Sequence, residues 1–407
     1  MTPRTVNAGS VKELKDSGNL TTKLGDHPIV VFWDGTQTWA IEDRCPHLGF
    51  PLHRGTVEPG KVTCHWHHAR FDLSSGCTLD PFADDAVGYD VSIAGDEVYV
   101  SARPDPNHSQ RELTRLQQGL QEGIRLVIAK SVLALLDEGV PETEILAVGL
   151  RFGATQRQQG WGSGLTVLTA MANILKYLDE PQRSIALIHG LVWVSDDTRG
   201  NPTRFRLTSL HDAELPDERF VDWYRRFIET SSPQAAERAL TTVLEDPTRL
   251  PVGERAMIAA ATDHAMLDSG HVLDFTNKAI EAVSVVGPAL PPDLLLTSLI
   301  TQTCRADRAE EASAWNHPHD LAGMVAALEY ELAADLKAGN IENSLKPAPE
   351  QAEQLLVDDP TAALNSIQSC IRAGLSPVEI SRNIAAAAAL RLCRFHVQND
   401  PADWNIL

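Results

Sequence analysis

The stretch "CPHLGFPLHRGTVEPGKVTCHWHHARF", Cys45 to Phe71, holds two of the chain's six cysteines and five of its fourteen histidines. The donors fall in two pairs: Cys45-x-His47, then sixteen residues, then Cys64-x-x-His67. Thiolate sulfur and imidazole nitrogen concentrated in this way point to a metal centre held by two short loops.

The surrounding residues have the texture of a small β domain. "PIVVFWDGTQTWAIED" is two β-rich runs around Asp34-Gly35, a hairpin signal. "KVTCHWHHARFDLSSG" gives two more short runs ending at Ser74-Ser75-Gly76, and "YDVSIAGDEVYVSA" turns at Gly95-Asp96. Residues 1–102 therefore read as a small antiparallel barrel or sandwich. "ARPDPNHSQ", with Pro104 and Pro106, reads as a stiff linker, so a domain 1–104 ends there. From Glu112 the apolar period becomes helical. "LTRLQQGLQEGIRLVIAKSVLALLDEG", with Gly139 as a C-cap, is the first of several such segments, and an all-α domain over 108–407 is expected. "SIALIHGLVWVSDD" fits either a helix or a short buried strand.

Within this frame the chain resembles the Rieske [2Fe–2S] family. "CPHLGFPLHRG" looks like the first cluster loop and "CHWHHARFDLSSG" like the second, and the resemblance covers residues 5–102. It implies that Cys45 and Cys64 bind one iron and His47 and His67 the other. A structural zinc ion with two cysteines and two histidines is the competing reading, but zinc fingers pair cysteine with cysteine and histidine with histidine, whereas here the order alternates. Phe50 and Trp66 stand where respiratory members carry a disulfide, which implies the soluble ferredoxin or oxygenase type. "HHARF" lacks the serine that donates to a cluster sulfur in high-potential members, so the expected potential is low, on the order of −150 mV. His65 and His68 replace a common proline and a common glycine. Both are expected on the rim of the centre.

Composition bounds the rest. The net charge is −20, with both parts acidic: residues 1–104 carry −5 and the remainder −15. This argues against nucleic acid as a partner and suits a basic redox partner. No apolar run approaches the ~20 residues that cross a bilayer, and the N-terminus lacks the apolar core of a signal peptide. The expected location is cytoplasmic, with no membrane partner. Cys304, Cys370 and Cys393 are expected to be buried apolar residues, and Cys77 a buried, inert one.

The helical region offers no comparable motif. The family's oxygenases carry a mononuclear iron in a two-histidine, one-carboxylate triad. In "DHAMLDSGHVLDF", Asp268 and His271 have the first spacing, but Thr276 and Asn277 stand where the second histidine belongs. A typical ring-hydroxylating dioxygenase is therefore rejected. His264, Asp268 and His271, at i, i+4 and i+7, would share one helix face and form a candidate second metal site. His189, His317, His319, Glu329, Glu331 and His396 could complete it, although ~10.5 Å of helix rise between the two histidines strains a single ion. The simpler alternative is Asp268 bonding one histidine on a polar face. Trp161, Trp193, Trp223 and Trp315 would line an aromatic pocket or pack in the core. No nucleotide fingerprint is present, so electrons must come from a separate reductase. Leu135–Leu165 faintly resembles Cys370–Leu407, with Gly139, Glu144 and Ile145 matching Gly374, Glu379 and Ile380. A real repeat would leave the C-terminus mid-unit, to be completed by an oligomer, a partner chain or a further segment.

Two functions follow as expectations. One is an oxidoreductase whose [2Fe–2S] cluster passes single electrons to a small organic substrate or a second metal in or near the helical domain. The other is an electron-transfer protein whose helical domain docks a partner enzyme.

Overall fold

The computed structural model describes residues 5–80, 82–102, 108–210, 215–265, 267–312, 318–338, 349–357 and 359–394. Nine strands come first: β1 (Thr5–Ser10), β2 (Asn19–Leu24), β3 (His27–Trp33), β4 (Thr38–Glu42), β5 (Thr56–Glu58), β6 (Lys61–Thr63), β7 (Arg70–Asp72), β8 (Gly88–Ala94) and β9 (Glu97–Ala102). They form a six-stranded sheet, ordered β1-β9-β8-β4-β3-β2, and a three-stranded sheet, β5-β6-β7. All pairings are antiparallel. The hairpins expected at Asp34-Gly35 and Gly95-Asp96 join β3 to β4 and β8 to β9.

β3 explains how this small domain keeps a core. Side chains alternate across a strand, and Ile29, Val30, Val31 and Phe32 are all fully buried. Val30 and Phe32 enter one cluster with Ile41, Leu52, Val62 and Phe71. Ile29 and Val31 enter another with Leu14, Tyr89, Val98 and Val100. A strand buried on both faces reads as a continuous apolar run, which is the texture of "PIVVFW". Between β1 and β2 lies a helix outside the all-β expectation, α1 (Val11–Ser17). Ser10 and Glu13 form a reciprocal capping box at its start, so the S-x-x-E signal for it was present in the sequence.

Among the described residues, sixteen further helices follow. The first nine are α2 (His108–Glu122), α3 (Arg125–Asp137), α4 (Glu142–Thr155), α5 (Ser163–Ile174), α6 (Glu180–Thr198), α7 (Asp217–Glu229), α8 (Pro233–Leu244), α9 (Leu250–Thr262) and α10 (His271–Val286). The remaining seven are α11 (Pro292–Leu296), α12 (Ile300–Arg305), α13 (Ala309–Ala312), α14 (Leu321–Ala338), α15 (Pro349–Gln354), α16 (Pro360–Arg372) and α17 (Pro377–Leu392). The ambiguous "SIALIHGLVWVSDD" lies in α6. The first helical run is broken in two at Gly123, whose φ is +70°. Gly139 and Gly374, the glycines matched in the faint repeat, both take left-handed backbone, at φ +76° and +89°. Among the described residues, no helix is long and apolar enough to cross a membrane.

The chain divides into two compact units. The first comprises residues 1–116 and 129–134, the second residues 117–128 and 135–407. The Pro104–Pro106 linker lies outside the described residues. The β unit thus takes in the start of α2 and a short length of α3.

Candidate metal centre

The two donor pairs sit on loops built to one pattern. In the first, which follows β4, the Cys45 N–H donates to the Phe50 carbonyl at 2.8 Å, and the Gly49 N–H donates to the Cys45 carbonyl at 2.7 Å. In the second, between β6 and β7, the Cys64 N–H donates to the Ala69 carbonyl at 2.8 Å, and the His68 N–H donates to the Cys64 carbonyl at 3.1 Å. Each loop closes through a left-handed residue four places after its cysteine, Gly49 at φ +82° and His68 at φ +61°. A glycine takes that conformation freely and a histidine does so at some cost.

The loops bring their donors together. Cys45 and Cys64 are buried at the end of the Phe32–Phe71 cluster, side by side and without a disulfide. The His47 and His67 rings meet edge to face, 4.7 Å between centroids. Burial, with the neighbouring Cys64, pushes the Cys45 thiol up to about 11, while backbone N–H groups of His47 and Leu48 act in the opposite direction. Burial first, then the positive charges of His67 and Lys130, hold His47 below the ordinary imidazole value. His47 Nδ1 is buried with no hydrogen-bond partner, a nitrogen that a metal would satisfy. Two adjacent thiols and two neighbouring imidazoles, one with an orphaned nitrogen, are a donor set that fits a mixed-ligand iron–sulfur cluster.

A third segment walls the site. Phe82 lies edge to face against His47 at 5.3 Å, and Ala83 and Ala86 are buried behind it. The segment is held by the Ala86 N–H, which donates to the Gly76 carbonyl at 2.9 Å. Gly76 is required there, because a Cβ would stand 2.0 Å from the Ala86 carbonyl oxygen. Asp84 pairs with Arg115 and, at 2.8 Å, with Lys130. Nothing in the Cys/His spacing indicated Phe82, Asp84, Arg115 or Lys130. The available hint was one lysine inside the apolar run "LVIAKSVLALL". Around the open edge His67 and His68 are exposed, His65 bonds Thr56 at 2.9 Å, and Trp66, 57% exposed, leans on Phe50. Cys77 is half-buried rather than buried.

The second candidate site does not form as expected. His264, Asp268 and His271 share no helix face: α9 ends at Thr262, Asp268 and Ser269 adopt left-handed backbone, and α10 starts at His271. The helical period crossed a break that Gly270 and the small polar residues before it make possible. His271 stacks on Phe275, and Asp268 is exposed. His264 instead bonds Glu310 and Glu229, each at 2.8 Å. Glu229, His264 and Glu311 are close enough to share an ion, but Arg308 already pairs with both glutamates. Of the other candidates, His189 is exposed beside Trp193, His319 is exposed, and Glu331 accepts from Gln368. His317, His396, Trp315 and the Glu329 side chain lie outside the described residues. Trp161 is a core residue bonded to Thr166, Trp193 is largely exposed, and Trp223 lies under Arg219. Cys304 and Cys370 are buried as expected, whereas Cys393 is exposed.

A family model described as Rieske [2Fe-2S] domain matches residues 4–90. The chain is 29% identical to apoptosis-inducing factor 3 of Homo sapiens over 178 residues, 44% of this chain and 28% of that protein. It is also 29% identical to the anthranilate 1,2-dioxygenase ferredoxin subunit of Burkholderia cepacia over 94 residues, 23% of this chain and 87% of that one. Among solved structures, the ferredoxin of carbazole 1,9a-dioxygenase from Nocardioides aromaticivorans IC177 matches with 26% identity and a TM-score of 0.23, covering 25% of this chain and all of the other. The chain thus spans less than a third of the length of the factor it matches. Its N-terminal domain belongs to the Rieske [2Fe–2S] family, whose cofactor is a [2Fe–2S] cluster serving electron transfer.

Proposed function

We propose that Cys45, His47, Cys64 and His67 hold the [2Fe–2S] cluster, and that the chain is a single-electron carrier fed by a separate reductase. The observation that carries this reading is the pair of loops with one hydrogen-bond frame, each presenting a cysteine and a histidine to a common point. When bound, the cluster supplies a one-electron redox centre. The buried cysteines supply its anionic ligands, and the backbone N–H groups of His47 and Leu48 stabilise that charge at Cys45. Phe82 packs edge to face on the His47 ring, with Ala83 and Ala86 buried beside it. His67, on the exposed edge, leaves a short path for electrons to and from a partner. The likeness to ferredoxin subunits of dioxygenases supports a carrier role.

A second reading is favoured by one feature of the helical unit. A groove of about 670 Å³ between α9 and α14, lined by Ile258, Val325, Leu332 and Leu336 with Glu254 at its rim, is within the ~300–1,000 Å³ of small-molecule sites. In that reading the groove would hold a small organic substrate, and the chain is itself an oxidoreductase.

Metal stoichiometry on anaerobically purified protein tests the ligand assignment. Wild type should hold about two irons per chain and the Cys45→Ser, His67→Ala double variant none. Zinc in the wild-type chain, or a variant that keeps its iron, overturns the assignment.

A further inference from the structure

We propose that Lys130 tunes the cluster's reduction potential by holding a fixed positive charge against the first ligand loop. The proposal rests on the ligand assignment above. Lys130 Nζ donates to the carbonyl of Pro46, the residue between Cys45 and His47, and lies 3.5 Å from the His47 carbonyl. Its ammonium also pairs with Asp84 Oδ2 at 2.8 Å. Arg115 takes the other Asp84 oxygen and donates to the Ala83 carbonyl at 2.5 Å.

Three charges are therefore locked onto the two segments that wall His47. They are poorly hydrated: the Lys130, Asp84 and Arg115 side chains are 26%, 19% and 14% exposed. Partly desolvated charges are screened far less than surface ones. The cation that touches the loop itself is Lys130, whose Nζ sits on the Pro46 carbonyl. Adding one electron makes the cluster more negative by one charge and breaks no bond, so a fixed cation nearby favours the reduced form. The sequence lacks the serine donor of high-potential members, and Lys130, from the first helices after the β domain, supplies a compensating charge. Lys130 is a positioning residue, because it acts through the loop without touching the metal.

The test is a spectroelectrochemical titration of the full chain, with the cluster followed by visible absorption and electron paramagnetic resonance. Lys130→Gln should disfavour reduction about tenfold, which is 59 mV for a one-electron couple. Lys130→Arg should stay close to wild type, and Asp84→Asn should shift the potential upward. A loaded Lys130→Gln chain with the wild-type potential overturns the proposal and leaves the ligand assignment standing. So do shifts of Lys130→Gln and Asp84→Asn in the same direction, which mean loop distortion rather than charge. If Lys130→Gln does not load, Asp84→Asn decides: an upward shift supports the proposal, and an unmoved or lower potential overturns it. A wild-type chain without the cluster signal overturns the ligand assignment and this proposal together.

Discussion

The two ligand loops share a frame and differ at one residue. Both close a cysteine-to-i+4 turn with left-handed backbone, on Gly49 in one and on His68 in the other. The first loop uses the residue that takes this conformation without penalty. The second puts an imidazole on the open edge and carries backbone strain to do so. The same turn is closed once by a glycine and once by a histidine whose side chain is exposed.

The strongest way to break this symmetry is to remove a ligand from each loop in turn. If the loops are equal partners, Cys45→Ser and Cys64→Ser should each reduce iron content from about two per chain to none. Elemental analysis beside the visible spectrum measures this, and retention of iron by either variant would make the loops unequal. Gly55→Ala comes next. A Cβ there would lie 2.6 Å from the Thr63 carbonyl, on the strand leading into the second loop. It should cost about 2 kcal/mol in denaturant unfolding of the full chain, and a cost below ~0.5 kcal/mol would mean that β5 and β6 do not approach this closely beside Gly55.

The difference at the fourth position is tested by exchange. Gly49→Ala has open space for its Cβ, so its cost of about 1 kcal/mol should come from backbone alone. His68→Gly should move stability by a similar amount or less in the opposite direction. Two destabilised variants would refute the strain argument.

The smallest expected effect lies in the helical unit, in the cluster that replaced the expected metal site. Burial disfavours charge on His264, but its hydrogen bonds to Glu229 and Glu310 outweigh burial and raise its affinity for the proton. The hydrogen bond from His264, with Arg308, lowers Glu229. Because the folded value of His264 is raised, its contribution is full below the ordinary histidine value of about 6.5 and is lost as pH rises through the folded one. Glu229 contributes in the opposite sense: its share is present above the ordinary carboxylate range and lost as pH falls through the lowered value. Thermal melts of wild type should therefore weaken on the alkaline side, and His264→Gln should flatten that decline, by no more than about 1 kcal/mol because Glu229 is half exposed. An unchanged profile would show that the cluster is not linked to folding.

The two parts of the chain were unequally legible. The ligand pairs, both sheet hairpins and the turn at Gly76 are local: spacing, Asp-Gly pairs and glycine mark them within a few residues. The change from period two to period three and four also placed the start of the helical region. The His264–His271 reading failed because periodicity cannot see a backbone break, and Asp268 and Ser269 leave helical space where nothing but small polar residues and Gly270 warn of it. The positive φ of His68 is likewise hidden, since sequence does not state backbone conformation at a residue other than glycine.

The sequence by itself determined the family of the N-terminal domain and the order of its two Cys/His pairs, because donor identity and spacing are written in the residues. The environment of the centre was decided by tertiary structure. Phe82, Asp84, Arg115 and Lys130 reach the first loop from up to 84 residues away. Only the folded packing of the β unit with the start of α2 and part of α3 brings their charges and rings to it.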